Sequence, residues 1–178
     1  MKYLFYILGL IVALLLYLRT GKYERSSELP VFLKPDPIAA AHQTDITVKV
    51  HSHFKPDSVN LEDLKEDYSA IWAHLNHLYE TNDVNAGKEY YTEDWFKQIC
   101  KGNNEPFDPS LYREDLNHNL HIINWSSDNL VCTAIDSNAV FSYDINSSKN
   151  FERTFHMAFV LLYQGDHWRV DAMKYLNN

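Results

Sequence analysis

Phe151-Glu-Arg-Thr-Phe-His-Met-Ala-Phe-Val-Leu-Leu-Tyr-Gln-Gly-Asp-His-Trp-Arg-Val-Asp-Ala-Met-Lys-Tyr-Leu176 consists of two apolar, aromatic-rich runs on either side of Gly165-Asp166. A glycine-first dipeptide between two such runs is the two-residue hairpin loop whose twist suits paired strands. The stretch predicts a β-hairpin. In its first arm Phe155, Met157, Phe159, Leu161 and Tyr163 share one face, and Ala158, Val160 and Leu162 make the other face apolar too. That pattern predicts a central strand of a sheet covered on both sides. In the second arm Asp171 alternates onto the side of Arg169 and Met173, away from Trp168 and Val170.

Working back from the hairpin, 118–124 and 129–136, the latter continuing through 139–143, read as further strands ahead of 151–163 and 167–175. Ser126-Ser127-Asp128 and Asn146-Ser147-Ser148 mark the turns between them. Upstream the period changes. Leu61, Leu64, Tyr68, Ile71, Leu75, Leu78 and Tyr79 recur at steps of three and four, widened by Trp72, so 60–81 predicts an amphipathic helix with Ser58 or Asn60 as its cap. A second helix, or two short ones, follows over 85–101, with Tyr90, Tyr91, Trp95, Phe96 and Ile99 supplying bulk. Pro106 and Pro109 break it, and Leu111–Asn117 predicts another helical turn or two. Helices first and strands last point to an α+β fold, helices packed on a curved antiparallel sheet.

At the opposite end, Tyr3–Leu18 holds 16 residues without a charge, bounded by Lys2 and Arg19 and carrying Tyr3, Tyr6 and Tyr17 near its ends. As a helix it spans about 24 Å, enough for a thin bilayer with snorkelling flanks. No A-x-A-like cleavage site follows, so an uncleaved transmembrane helix is expected, in contact with membrane lipid through 3–18. The layout predicts a single-pass protein of a cell inner membrane. One more positive charge follows the segment than precedes it, which leans the rest of the chain toward the cytoplasm and leaves both orientations open. The expected domains are a membrane anchor with basic flank at 1–25, a proline-containing linker at 26–59 with a short strand at 46–50, and a folded domain at 60–178.

Lys2, Arg19, Lys22 and Arg25 against Glu24 give the first 26 residues +3, so the −8 of the whole leaves −11 on the remainder. An acidic body does not neutralise phosphates, and no nucleic acid partner is expected. Cys100 and Cys132, without a CxxC spacing, are expected as two buried free thiols rather than a bridge or a zinc knuckle. His42, His51 and His53 fall in the linker. His51 and His53 would share a face of a strand, but no third ligand is fixed by the pattern, and solvent exposure is expected. His74 and His77 are likewise expected in solvent. The Asn124 and Asn146 triplets fit the glycosylation pattern, which matters only in a eukaryotic secretory pathway. The pattern defines no metal site and no cofactor.

A long aromatic helix, a short aromatic helical segment, and meandering strands ending in FVLLYQGDHWRVDAM resemble the nuclear transport factor 2-like superfamily over about residues 60–176. The resemblance implies a cone with a pocket between the first helix and the concave sheet. In the superfamily's enzymes Tyr, Asp and His serve proton transfer there. It points to His156, His121, Asp83 and Tyr79 as candidate catalytic residues, with Tyr68 and Asp171 behind them. Tyr68, Trp72, Tyr79 and Trp95 would line the pocket. The superfamily also includes many members without catalysis, and side chains this large fill a pocket by default. In layout, an anchor followed by such a cone also resembles membrane-tethered assembly factors of bacterial secretion machines. The expectation is a non-catalytic interaction or assembly module, with a protein partner or a homodimer formed through the sheet face. The alternative is a tethered isomerase- or dehydratase-like enzyme or small-ligand binder.

Overall fold

The computed structural model describes residues 36–42, 44–102, 111–145 and 149–176. The chain divides into two units, Met1–Pro35 and Asp36–Asn178. The expected anchor at 3–18 and its basic flank lie outside the described residues. Among the described residues no helix is long and apolar enough to cross a membrane.

The second unit runs α1 (Pro37–Ala41), β1 (Asp45–Val50), α2 (Ser58–Thr81), a 3₁₀ helix (Lys88–Tyr90), α3 (Glu93–Gly102), β2 (Leu111–Trp125), β3 (Val131–Ile145), β4 (Lys149–Tyr163) and β5 (Trp168–Tyr175). The α+β class is as expected. The sheet, ordered β1-β2-β3-β4-β5, is mixed rather than antiparallel, because β1 pairs with β2 in parallel. Parallel neighbours need a crossover, and the helices between β1 and β2 supply it. The short strand expected within the linker is therefore part of the sheet, and the compact unit begins at Asp36 rather than near 60. Leu111–Asn117 is also strand rather than helix: β2 opens at Leu111, paired with Ile145.

Helix α2 begins at a cap one residue before the expected candidates, with Asp57 Oδ1 accepting from the Asn60 amide at 2.8 Å. It ends at Asn82, which takes the left-handed conformation (φ 62°) and donates its amide to Leu78 O. The predicted stripe is the buried one: Leu64, Tyr68, Ile71 and Trp72 face the sheet. They meet Leu120, Ile122, Phe141, Met157, Phe159 and Leu161 in one core. Asp67 fixes the far end of this packing. Its Oδ2 accepts from the Trp168 amide at 2.7 Å and its Oδ1 lies 3.1 Å from His167 Nδ1, tying α2 to the start of β5. Burial holds the Asp67 carboxyl above its ordinary range, against the pull of these partners.

The closing hairpin forms as predicted. Gly165 has φ 83°, the conformation a glycine-first loop requires, and Gln164 donates its amide to His167 O at 3.0 Å. Trp168 is buried with its ring 4.9 Å from that of Trp125 and 5.6 Å from that of Tyr163. Strand β4 has neighbours on both sides, but among the described residues helices cover only one face of the sheet. Ala158 and Val160 are only half-buried and border an open apolar groove of about 320 Å³ with Ile123, Ile135, Ala172 and Lys174.

The β2–β3 turn depends on one residue. Asn129 adopts φ 60°, and its side-chain oxygen accepts from the Trp125 indole at 2.7 Å. Asn129→Ala should cost about 2–3 kcal/mol, combining left-handed strain with a lost hydrogen bond to a buried ring. Asn129→Gly, which keeps the backbone conformation, should cost about 1 kcal/mol less by the same reasoning. Denaturant midpoints of the two variants check the order.

Candidate functional site

Two interruptions in strand pairing build the polar centre of the molecule. The β2–β3 register shifts between Asn117 and Leu120, and the β3–β4 register shifts between Asp136 and Ala139. A bulge reverses which residues of a strand point inward. The β2 shift turns His118 inside, where it meets Asp136, already inward with Cys132 and Ala134 ahead of the β3 shift; neither His118 nor Asp136 has exposed surface. Their contact, His118 Nδ1 to Asp136 Oδ2, is 2.5 Å. Asp136 Oδ2 also accepts from the Tyr68 hydroxyl of α2 at 2.7 Å, and its Oδ1 accepts from the Asn119 amide at 3.0 Å. That amide belongs to the irregular stretch of β2, so the carboxylate satisfies a donor there. On the other side of the imidazole, His118 Nε2 lies 3.2 Å from Asp115 Oδ2.

The protonation states follow from this enclosure. Burial works against a charge on His118, but the hydrogen bonds to Asp115 and Asp136 outweigh it and raise the imidazole pKa. Burial alone would raise Asp115, yet His118 and the Arg113 charge bring it below its ordinary range. Burial first, and then the Asp136 charge, push Tyr68 well up, leaving its hydroxyl a neutral donor. Arg113 completes the group: it donates to Asn76 Oδ1 at 2.6 and 3.0 Å and lies 4.4 Å from the Tyr79 ring and 5.1 Å from that of Phe141. Arg113 and His118 thus share this interior with Asp115 and Asp136. Trp72 stacks on the His118 ring at 4.4 Å, with Phe141 edge-on at 5.7 Å and Tyr68 edge-on at 6.1 Å.

Tyrosine, histidine and aspartate are the residue types of proton transfer, but here they are spent on one another. Both imidazole nitrogens face carboxylates, the Tyr68 hydroxyl faces Asp136, and aromatic rings cover the imidazole. This arrangement fixes register and holds α2 to the sheet.

The residues singled out from the sequence occupy separate neighbourhoods. Tyr79 lies against Arg113 and 6.4 Å from the Tyr143 ring. Asp83 is exposed and accepts from the Asn85 amide in a local turn. His156 accepts from the Asn138 amide at 3.3 Å, and Asp171 accepts from the Thr92 hydroxyl at 3.0 Å. His121 stacks on His51, rings 5.1 Å apart and 9° from parallel, with a 2.9 Å contact between nitrogens. Burial, then the neighbouring His51 and Lys49, lower the His121 pKa. Tyr68 and Trp72 fill the interior rather than line a pocket, and Trp95 packs half-buried against the core. His74 is buried rather than solvated, because Asp36 meets its Nε2 at 2.6 Å. Cys132 is buried, its thiol pushed up to about 12 by desolvation, whereas Cys100 is exposed because it lies on the outer side of α3.

His118, Asp115 and Asp136 were not singled out by the sequence reading. The available signal was charge out of place: Arg113-x-Asp115-x-x-His118 inside a strand, and Asp136 directly after the mostly apolar Val131-Cys-Thr-Ala-Ile135 of a strand.

What the fold defines is a helix-on-sheet α+β domain with a mixed five-stranded sheet. No family model matches the chain, and no curated protein matches it in sequence. Among solved structures, it is similar to the crystal structure of the intermembrane space region of the chloroplast protein ARC6. The TM-score is 0.51 at 12% identity, covering 70% of this chain and 100% of that one. At this identity the likeness is one of fold alone.

Two measurements test the buried group. A raised His118 pKa contributes stability that is complete below the ordinary value of 6.5 and is lost as pH rises through the folded value. Asp115, lowered, contributes above its ordinary 3.8 and loses that contribution as pH falls through its folded value. Denaturant midpoints should therefore be highest between these limits and decline above them; a profile flat across the alkaline side would remove the imidazolium. Asp136→Ala, which takes one of the two carboxylates from the His118 imidazole and leaves the Tyr68 hydroxyl without its acceptor, should cost about 3–5 kcal/mol in the same measurement.

Proposed function

We propose that this chain is a single-pass membrane protein whose nuclear transport factor 2-like domain acts as a non-catalytic interaction or assembly module. Residues 3–18 hold it in a cell inner membrane, and the outer face of the sheet docks a second copy. The observation that carries this reading is that face. On it Ile123 is 48% exposed, and Ile135, Ala158, Val160 and Ala172 surround an apolar groove that no described helix covers. Contiguous apolar surface of this kind marks interaction sites. The closed interior supports the same conclusion, since His118, Asp115, Asp136 and Tyr68 bond to one another.

The alternative, a tethered isomerase- or dehydratase-like enzyme or small-ligand binder, needs at least two of Tyr79, Asp83, His121 and His156 to converge on an open pocket. Their separate partners count against it. The test is sedimentation of the full chain, extracted from membranes in detergent, over a range of concentrations. The wild type should self-associate, and Val160→Asp, with an unchanged circular dichroism spectrum, should weaken association at least tenfold. A wild type that stays monomeric at high concentration overturns docking between copies.

A further inference from the structure

Far from the His118 group, a second cluster gathers where α1, α2 and the 3₁₀ helix meet. Asp36 stands at the N-cap of α1, His74 on the buried face of α2 in its C-terminal half, and Glu89 in the 3₁₀ helix. One ligand atom from each lies within 4.8 Å of the other two. We infer that Asp36, His74 and Glu89 form a binding site for one divalent transition-metal ion of the zinc type.

The donor set fits that chemistry. One imidazole nitrogen and two carboxylate oxygens are ligands zinc takes in three-ligand sites, with the remaining position left to water or a further ligand. Two carboxylates also balance the charge of a divalent cation.

The Asp36 carboxylate is held by its surroundings, and the backbone that carries Glu89 is anchored. Asp36 Oδ1 accepts from the Ile38 and Ala39 amides at 2.9 and 3.3 Å, which leaves Oδ2 facing His74. Such bonds to a ligating carboxylate are the outer support that metal sites use. The backbone carbonyl of Glu89 accepts from Arg169 Nε at 2.7 Å, anchoring the 3₁₀ helix to β5. Gly87 allows the approach of that helix to α2: a Cβ there would lie 2.8 Å from the Tyr91 ring and 3.0 Å from the Cβ of His74. The Tyr90 ring packs against the His74 ring at 4.9 Å, closing one side.

A separate observation points to a missing ligand. His74 is 2% exposed, its Nε2 meets Asp36, and its Nδ1 is buried without a hydrogen-bond partner. A buried imidazole with one nitrogen unmatched is costly, and an ion that takes up an imidazole lone pair lowers that cost. Glu89 is exposed, so the site opens to solvent on its side and the ion has a way in.

The full chain, stripped with a chelator, is titrated with Zn²⁺ in a calorimeter and with Co²⁺ by visible absorption. One equivalent should bind with a Kd in the micromolar range or tighter, and saturating Zn²⁺ should raise the thermal midpoint. Glu89→Gln, an exposed change that leaves folding intact, should weaken binding at least tenfold, and His74→Ala should abolish it. His51→Ala, which removes the other close histidine contact, should leave both titrations unchanged. Absence of saturable binding, insensitivity to Glu89→Gln, or loss of binding in His51→Ala overturns the site and leaves Asp36 and His74 as an ion pair only.

Discussion

Asp136 holds three parts of the molecule at once: its carboxylate takes the His118 imidazole of β2, the Tyr68 hydroxyl of α2, and the Asn119 amide beside the imidazole. The chain reaches this arrangement by breaking strand pairing on both β2 and β3, and each break makes sense only if the other occurs. Without the β2 irregularity His118 would point outward, and Asp136 would sit charged in the core with only Tyr68 opposite. Without the β3 bulge after Asp136, the strand would carry its inward parity on to Val140 instead of Ala139 and Phe141. Buried charges destabilise unless matched, and a matched set penalises every packing that separates its members. The polar group therefore selects one register for strands whose apolar faces would tolerate several.

The same enclosure leaves His118 and Asp136 with no exposed surface, beneath the rings of Trp72 and Phe141. The helices pack on one face of the sheet, and the core draws on that face alone. The opposite face keeps Ile135 beside Ala158, and Val160 beside Ala172, in cross-strand register without a covering helix among the described residues. An apolar patch of this kind on a meander is where another polypeptide gains most by docking.

How much of this was legible in the sequence follows the reach of its periodicity. The stripe of α2 and the closing hairpin are local patterns, and both were readable. β1 was visible as an alternating run, but its parallel pairing with residues 117–122 is a contact across two helices that no local pattern encodes. The polar centre was hidden by the bulges. Inward positions on β2 run Arg113, Asp115, His118, Leu120, Ile122, Trp125, changing parity twice, so strict alternation assigns half of them to the wrong face. On β5 the inward set passes from Trp168 and Val170 to Met173 through a register shift opposite Val160 and Leu161. Charged residues inside an apolar strand were the one surviving signal, and its meaning depended on partners distant in sequence.

The junction at Asp36 connects these levels. Helix α1 has five residues, too few to persist alone, and it is held by the cap and ion pair that Asp36 supplies. The chain from the first unit enters the compact domain at this residue. An ion bound by Asp36, His74 and Glu89 would add direct bonds among α1, α2 and the 3₁₀ helix, where the Asp36–His74 and His42–Glu80 contacts now join the first two. Because that cluster shares no residue with the His118 group, the domain can retain its register whether the ion is present or not. Metal occupancy would then govern how firmly the start of the domain is held, while the buried charges continue to fix its sheet.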